Sequence, residues 1–550
     1  MTVEEAIELG KREQLAGNLR AAEEIYRKVL ATQPNHVEAL RMLGAIAYDV
    51  GKHDVAADLF ARVIRIDPNK ADHYVEYGAS LNLLGRDEQA IAAYRTALAI
   101  DPNCVTAMCN LGDALRIRWQ PDEAIEVLQR ALKLRPDYFE AMANLGNALG
   151  EKRRFEEAIE WYRKAIEIQP NHADLHSNLS YALGACGKFD EAIIEGERAL
   201  AIKPGRPGRI NLANVLREVG HLERSMEQHR MILESNPDDA AVHYNISLTL
   251  LLQGRFAEGW KEHEWRFKAK EYQMPRRKFP QPRWNGEELN GRRIFVYAEQ
   301  GLGDTIQFAR YLPMLAERGG QVILECHPEL VRLLSGIHGV QIIQRGEALP
   351  QFDLHSPLLS LPMAFGTDLG NIPDNVPYLS AEPEIIEKFA AKIPSGGRKK
   401  IGLAWAGSPQ HIRDRLRSVT LASLAPLAAA GDFQFFNLQT GDAAKQAKNP
   451  PDGMNLIDWS DDLKDLADTA ALIANLDLVI TVDTSIAHLA GALGKPVWVL
   501  LTWLPDWRWM LDRPDSPWYP TMRLFRQSRL CEWQDAIDRV AMALRAEPPP

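Results

Sequence analysis

Cysteine is scarce, long apolar runs are missing, and no block of basic residues appears. The five cysteines (Cys104, Cys109, Cys186, Cys326, Cys531) are odd in number and contain no C-x-x-C pair. They therefore suggest neither a disulfide framework nor a zinc site. No stretch of eighteen apolar residues offers a membrane-spanning helix, and the opening MTVEEAIELG lacks the basic start and apolar core of a secretory signal. A cytoplasmic protein without a membrane span is the expectation. A net charge of -10 leaves no electrostatic footprint for nucleic acid. What is present is ordinary globular composition, 46% hydrophobic and 25% charged, on 550 residues. That length is too great for one core and sets a prior of two to four domains.

The prolines are spaced regularly. Pro34, Pro68, Pro102, Pro136, Pro170 and Pro204 fall 34 residues apart, and Pro237 follows after 33. Gly10, Gly44, Gly78, Gly112 and Gly146 recur in one register, and Ala22, Ala56, Ala90, Ala124, Ala158 and Ala192 in another. The small residues allow two antiparallel helices to approach closely, and proline ends the second of them. The pattern resembles the tetratricopeptide repeat, with Leu145, Gly146, Ala158, Tyr162 and Pro170 at its L-G, A-x-x-x-F and terminal Pro positions. The resemblance covers residues 1–268 as about eight repeats stacked into a superhelix. One register of the later repeats reads Asn110, Asn144, Asn178, Asn211 and Asn245, whereas Glu8, Met42 and Glu76 occupy it in the first three. Side-chain amides donate and accept, so this ladder suits an extended peptide; asparagine is also common at this repeat position whatever the protein does.

Period and composition change after Arg255. FAEGWKEHEWRF keeps helical spacing and carries Trp260 and Trp265, the default reading of which is a cap on the open end of the repeats. QMPRRKFPQPRW follows, and its prolines place a domain boundary near residues 270–290, with Arg276, Arg277 and Lys278 read as a solvated linker. From Arg293 onward, ten strand-like runs (IFVYAE, QVILEC, VQIIQ, FDLHSPL, KIGLAWAG, FQFFNLQ, NLIDWS, LVITVD, PVWVLL, TMRLFRQ) alternate with helical patterns. Such alternation predicts parallel sheets with helices on both faces. The PSGGRKK break (394–400) divides this region into two Rossmann-like halves. The expected domains are thus 1–268, a capping or linker segment 269–292, and halves 293–395 and 396–547.

Ligands in open α/β sheets sit where strands end and helices begin. Three loops of that kind hold the candidate site. The first carries Gln300, Gly301, Gly303 and Asp304 after the strand IFVYAE; its aspartate reads as a functional carboxylate or as a helix cap. It is no dinucleotide fingerprint, because Ile306 stands where the third glycine would be. The second holds Gly407 and Ser408, then Arg413, Arg415, Arg417 and Ser418, which suit a diphosphate or form a solvated surface. The third delivers Asp483, Thr484 and Ser485 onto a helix amino terminus, a ready anion site, with His488 on the same face. Gln439 ends FQFFNLQ and either approaches a nucleotide or satisfies its own loop. The aromatic run 502–520 reads as domain packing or as a cleft wall.

Together, Gly303-Asp304 and D-T-x-x-x-H followed by A-L-G-K-P (Asp483, Thr484, His488, Ala492 to Pro496) resemble GT-B glycosyltransferases of the heptosyltransferase-like kind. The implied fold is an all-α tetratricopeptide superhelix followed by an α/β GT-B domain of two Rossmann-like halves. The resemblance implies that Asp304 is the base, and that the D-T-x-x-x-H loop holds the phosphates of a nucleotide-sugar. The family's phosphate-loop lysine is missing here, with Arg417 or Arg413 in its place. Repeats fused to such a domain resemble bacterial protein glycosyltransferases, the flagellin-modifying kind included, and more distantly O-GlcNAc transferase. The implied activity is inverting, metal-independent sugar transfer to Ser or Thr of an acceptor protein held by the repeats. No D-x-D follows a strand and no histidine pair has ligand spacing, so no metal or other cofactor is expected. A non-catalytic scaffold on a degenerate transferase fold, and a transferase acting on a glycan or lipid, are the alternatives.

Overall fold

A computed structural model describes residues 1–269, 277–409, 414–530 and 532–546. Arg276, Arg413 and Cys531 lie outside the described residues. Helices in pairs run from Val3–Leu15 to Phe256–His263, and the short turn Glu264–Phe267 closes the series. The second helix of each pair ends two residues before its proline, at Thr32, Ile66, Ile100, Leu134, Ile168, Ile202 and Ser235. The residue between them leaves the helical region, as at Gln33 (φ -128°, ψ 81°) and Arg135 (φ -135°, ψ 88°). Proline's ring excludes its predecessor from the α conformation, so the sequence period fixes the helix ends.

The small residues act as sockets. Ala22, Ala56, Ala90, Ala124, Ala158 and Ala192 are all fully buried. A Cβ on Gly146 would lie 2.6 Å from the Tyr162 ring, and one on Gly78 2.6 Å from Tyr94. Gly10 and Gly44 stand in the same relation to Tyr26 and Phe60, and Gly112 to Leu128. The glycine of each first helix therefore receives a large side chain of the second.

The chain forms two compact units, Met1–Val215 and Leu216–Pro550. The division falls inside the repeats, because the last helices share a core with the α/β region. Leu222, Leu251, Leu252, Phe256 and Trp260 belong to one continuous apolar cluster with Trp284, Phe308, Trp507 and Trp518. Trp260 meets Trp507 edge-on at 5.3 Å and donates its Nε1–H to Thr367 O at 3.0 Å. Trp265 stacks back on His243 at 4.1 Å.

All ten expected strands form, in two parallel sheets. The first has the order β3-β2-β1-β4: β1 Arg293–Tyr297, β2 Gln321–Cys326, β3 Val340–Gln344 and β4 Leu354–Pro357. The second has the order β10-β9-β8-β5-β6-β7: β5 Lys399–Ala404, β6 Phe433–Asn437, β7 Leu456–Ile457, β8 Leu478–Val482, β9 Val497–Leu501 and β10 Met522–Arg526. Strand order reverses between β1 and β4 and between β8 and β5, and those reversals place the loops after β1, β5 and β8 in ligand-binding positions. The segment expected as a solvated linker differs from that reading within residues 277–292. Phe279 packs on Phe295 and Phe352 over one face of the first sheet, and Trp284 is buried. Arg277 pairs with the buried Glu325 at 2.7 Å, so this residue's charge has a fixed partner. No helix among the described residues is long and apolar enough to cross a membrane.

The socket geometry separates two substitutions in one helix. Gly146→Ala should destabilise the repeat unit by about 1–3 kcal/mol through overpacking on Tyr162. Gly150→Ala, with nothing within 4 Å of its Cβ, should stabilise it by about 0.5–1 kcal/mol. Urea denaturation of the two variants reads the difference, and equal shifts would refute the socket.

Candidate active site

The loop after β1 turns into the Leu302–Phe308 helix, with Gly301 as its cap. Asp304 Oδ2 accepts the Gly301 N–H at 2.8 Å, which is the capping interaction anticipated for this carboxylate. Asp304 Oδ1 accepts from Arg508, a bond that the sequence did not indicate. Gly303 is required by closeness: a Cβ there would sit 2.9 Å from His488 Cδ2. The first and third loops are thus packed on each other.

Arg508 is the organising cation. Its Nε donates to Gln307 Oε1 at 2.6 Å, and its Nη1 to Asp506 Oδ1 at 2.7 Å. Its guanidinium lies 4.3 Å from the Trp507 ring centre. Burial opposes its charge, but Asp506 and Asp304 more than offset that and keep it protonated. It stands in the aromatic run 502–520, where sequence favoured packing. Trp507, Trp509, Trp518 and Tyr519 are indeed buried, yet the same run delivers a guanidinium to the candidate base.

The third loop follows β8. Thr484 caps the Ser485–Ala492 helix, its Oγ1 accepting from Ile486 N at 3.2 Å. Asp483, partly buried beside it, has its carboxyl pushed up to about 6 by burial and by the Asp506 carboxylate, against the pull of Arg417. His488 is buried, stacks on Trp509 at 5.1 Å and shares a 3.0 Å hydrogen bond with Tyr519 OH. Burial, with Arg508 next in effect, lowers it to about 3, so the ring is neutral. These contacts pack His488 between the first and third loops.

The second loop follows β5. The Arg417 guanidinium lies over Gly407, where a Cβ would come within 2.5 Å of Nη2. Gly407 N–H donates to Ser418 Oγ at 2.9 Å, and Ser418 Oγ donates to Asp414 Oδ1 at 2.9 Å. Ser408 and Arg415 are exposed. Gln439 holds the loop from below: its Oε1 accepts from Trp405 N at 3.1 Å and Ala406 N at 2.9 Å, the satisfied-amide alternative.

The asparagine register serves neighbouring repeats. Asn178 Nδ2 donates to Asn147 Oδ1 at 2.9 Å, Asn211 Nδ2 to Ser177 Oγ at 3.0 Å, and Asn144 Nδ2 to Cys109 Sγ at 3.5 Å. Asn110 is half-buried in the first unit, and Asn245 lies buried in the second.

Comparisons with known proteins agree with this architecture. Tetratricopeptide-repeat families match residues 7–71 and 109–173, 78–116, 161–194 and 181–264. Glycosyltransferase family 9 (heptosyltransferase) matches residues 464–503, which contain β8, the third loop and β9. Tetratricopeptide repeats are thus matched across the amino-terminal region, and a short stretch of the α/β region is similar to a heptosyltransferase-type glycosyltransferase. It is similar to Protein FlbA of Caulobacter vibrioides, 28% identical over 359 residues, or 60% of this chain and 59% of that protein. The chain thus spans under two thirds of that relative's length. Among solved structures, MamA matches at 27% identity and a TM-score of 0.28, over 29% of this chain and 94% of its own. Pseudomonas aeruginosa pilF matches at 19% and 0.36, over 39% and 97%.

The raised Asp483 carboxyl gives a pH test. The folded state binds that proton more tightly than the unfolded chain, so wild-type stability falls as pH rises from about 3.8 to about 6. Asp483→Asn should therefore show a higher urea midpoint than wild type at pH 7, the gap closing below pH 4. A variant less stable than wild type at pH 7 would contradict the assignment.

Proposed function

We propose that the protein transfers a sugar, with inversion, from a nucleotide-sugar to a Ser or Thr hydroxyl of a protein presented by the repeats. Flagellin is the candidate acceptor that the resemblance of the whole architecture supplies. The observation that supports the reading is the placement of the three loops at the strand-order reversals of two parallel sheets. One loop holds a carboxylate, another a capped helix amino terminus, and the third a guanidinium over glycine.

In this reading Asp304 accepts the proton of the attacking hydroxyl while its oxygen bonds to the anomeric carbon. The bond from that carbon to the donor phosphate breaks, and the nucleotide departs with the electron pair. Arg508 and the Gly301 N–H each hold one Asp304 oxygen, which fixes the carboxylate at the start of the helix. Arg417, the Ser418 region and the helix terminus at Thr484 and Ser485 meet the charge that develops on the leaving phosphate. That assignment gives the role of a divalent cation to protein groups, so the scheme is metal-independent. One observation favours the scaffold alternative: both Asp304 oxygens already have partners, as a purely structural carboxylate would.

Thermal denaturation with UDP, CMP, ADP, GDP and dTDP separates the readings. A nucleotide at 100 times its dissociation constant adds about 2.7 kcal/mol to a folded domain that binds it. One of the five should raise the melting temperature, and Arg417→Ala with Thr484→Ala should abolish the shift. Asp304→Ala should keep the shift and lose about 10²- to 10⁴-fold in transfer rate. No shift with any of the five in folded protein would leave the scaffold as the better account, and full transfer by Asp304→Ala would displace it as the base.

A further inference from the structure

Outside the Asp304 site, a second cluster of charges is buried where the repeats end. Arg266, in the turn Glu264–Phe267, has no exposed side-chain surface, and neither has Glu299. Arg266 Nη2 donates to Glu299 Oε1 at 2.8 Å and to Ser360 Oγ at 2.7 Å. Its Nη1 reaches Glu264 Oε1 at 3.0 Å and His263 Nδ1 at 3.1 Å. Ser360 Oγ donates to Glu264 Oε1 at 2.7 Å, and Arg283 pairs with the other oxygen of Glu264. Glu299 Oε2 accepts Leu358 N–H at 3.1 Å. The cluster therefore ties the closing turn of the repeats to the carboxyl ends of β1 and β4.

Burying ions in this way is a poor route to stability, since apolar residues of similar volume often serve as well or better. Geometry is what such a cluster supplies. Glu299 is two residues from Gly301, whose N–H holds Asp304, so whatever fixes Glu299 fixes the start of the catalytic loop. A guanidinium is required for the task, because its planar fork reaches Glu299, Ser360 and Glu264 at once and a lysine ammonium does not.

We propose that Arg266 is a positioning residue which locks the 299–304 loop to the end of the repeats, making the last repeats part of the catalytic apparatus. The acceptor and the base are then registered through one buried cation. This rests on the glycosyltransferase reading above, and the experiment has one arm that does not.

The full chain carrying Arg266→Met with Glu299→Gln removes the pair without leaving either charge alone. Amide hydrogen exchange across residues 299–306 should accelerate at least tenfold relative to wild type, while exchange in β8 and β9 stays unchanged. The melting shift given by the UDP, CMP, ADP, GDP and dTDP panel should be retained. Transfer to unmodified flagellin should lose about 10- to 100-fold in kcat, as misplacement remote from the chemistry does, with the donor KM unaltered. Arg266→Lys keeps the charge and should move both readouts in the same direction, which covers a double variant that does not fold. Unchanged exchange at 299–306 in both folded variants would overturn the proposal, as would faster exchange with undiminished transfer. A wild-type chain that transfers no sugar would remove the functional reading, while the exchange comparison would still decide the anchoring.

Discussion

Phe256 and Trp260 bury their rings against Trp507 and Trp518, and the second unit is organised around that contact. A stack of repeats has an apolar face at its last member that must be covered. Here the cover is the core of an α/β domain, and the fit is close enough to impose glycine. At Gly254, in the left-handed region with φ +76°, a Cβ would lie 2.7 Å from Met510 Cε and 2.8 Å from Leu369 Cδ1. Aromatic side chains of this size bury about 150–250 Å² each, so the few at this junction supply much of its apolar contact. The compact unit consequently begins at Leu216, within the repeats, and the polar cluster around Arg266 orients a contact that the aromatics make adhesive.

The charge pattern around the three loops follows from the same aromatic run. Arg508 comes with Trp507 and Trp509, and it meets Asp506 and Asp304 together. Burial raises the proton affinity of Asp483, and the Asp506 carboxylate, which it feels more than either guanidinium, raises it further. Arg508 is therefore largely neutralised by its two carboxylates. Arg417 is bonded more loosely, to Asp414 at 3.4 Å. Arg508 is thus the cation that orders the protein, and Arg417 the one to which the proposed mechanism gives the donor phosphate.

Most of the fold was legible because its determinants are local and periodic. Proline excludes helix from the residue before it, and the glycine and alanine registers mark where helices touch, so repeat ends follow from spacing alone. The strand runs are continuous and apolar, as strands buried on both faces must be, and all ten form. The site was legible only in part. Asp304, Thr484 and Gly407 sit at loops that the alternation of strand and helix singles out. Arg508 does not: it is 204 residues from Asp304 in the chain, and a lone arginine among tryptophans carries no spacing signal. Glu299 and Arg266 were hidden for the same reason, since a buried ion pair is defined by two positions that sequence places far apart. Gln439 and His488 lie in the loops that the sequence singles out, and Gln439 Oε1 and His488 Nδ1 are bonded within the protein.

The asparagines show how one residue type limits what the repeats offer a guest. Asn211 Nδ2 lies 3.3 Å from Ser177 O, a carbonyl that only accepts, so its amide nitrogen must face the preceding repeat. Asn178 is oriented likewise by Asn147 Oδ1, which also accepts from Tyr162 OH at 2.8 Å. At least one N–H of each of these amides holds neighbouring repeats in register. These bonds leave the amide oxygens and the second N–H of Asn178, and an oxygen can engage a peptide only through an N–H or hydroxyl that the peptide supplies. If the repeats present an acceptor chain through this register, the amide oxygens hold it by its donors and the second N–H of Asn178 by a carbonyl. A backbone held so is recognised without regard to most of its side chains, and selection of a particular hydroxyl then falls to the catalytic loop and to whatever fixes that loop in place.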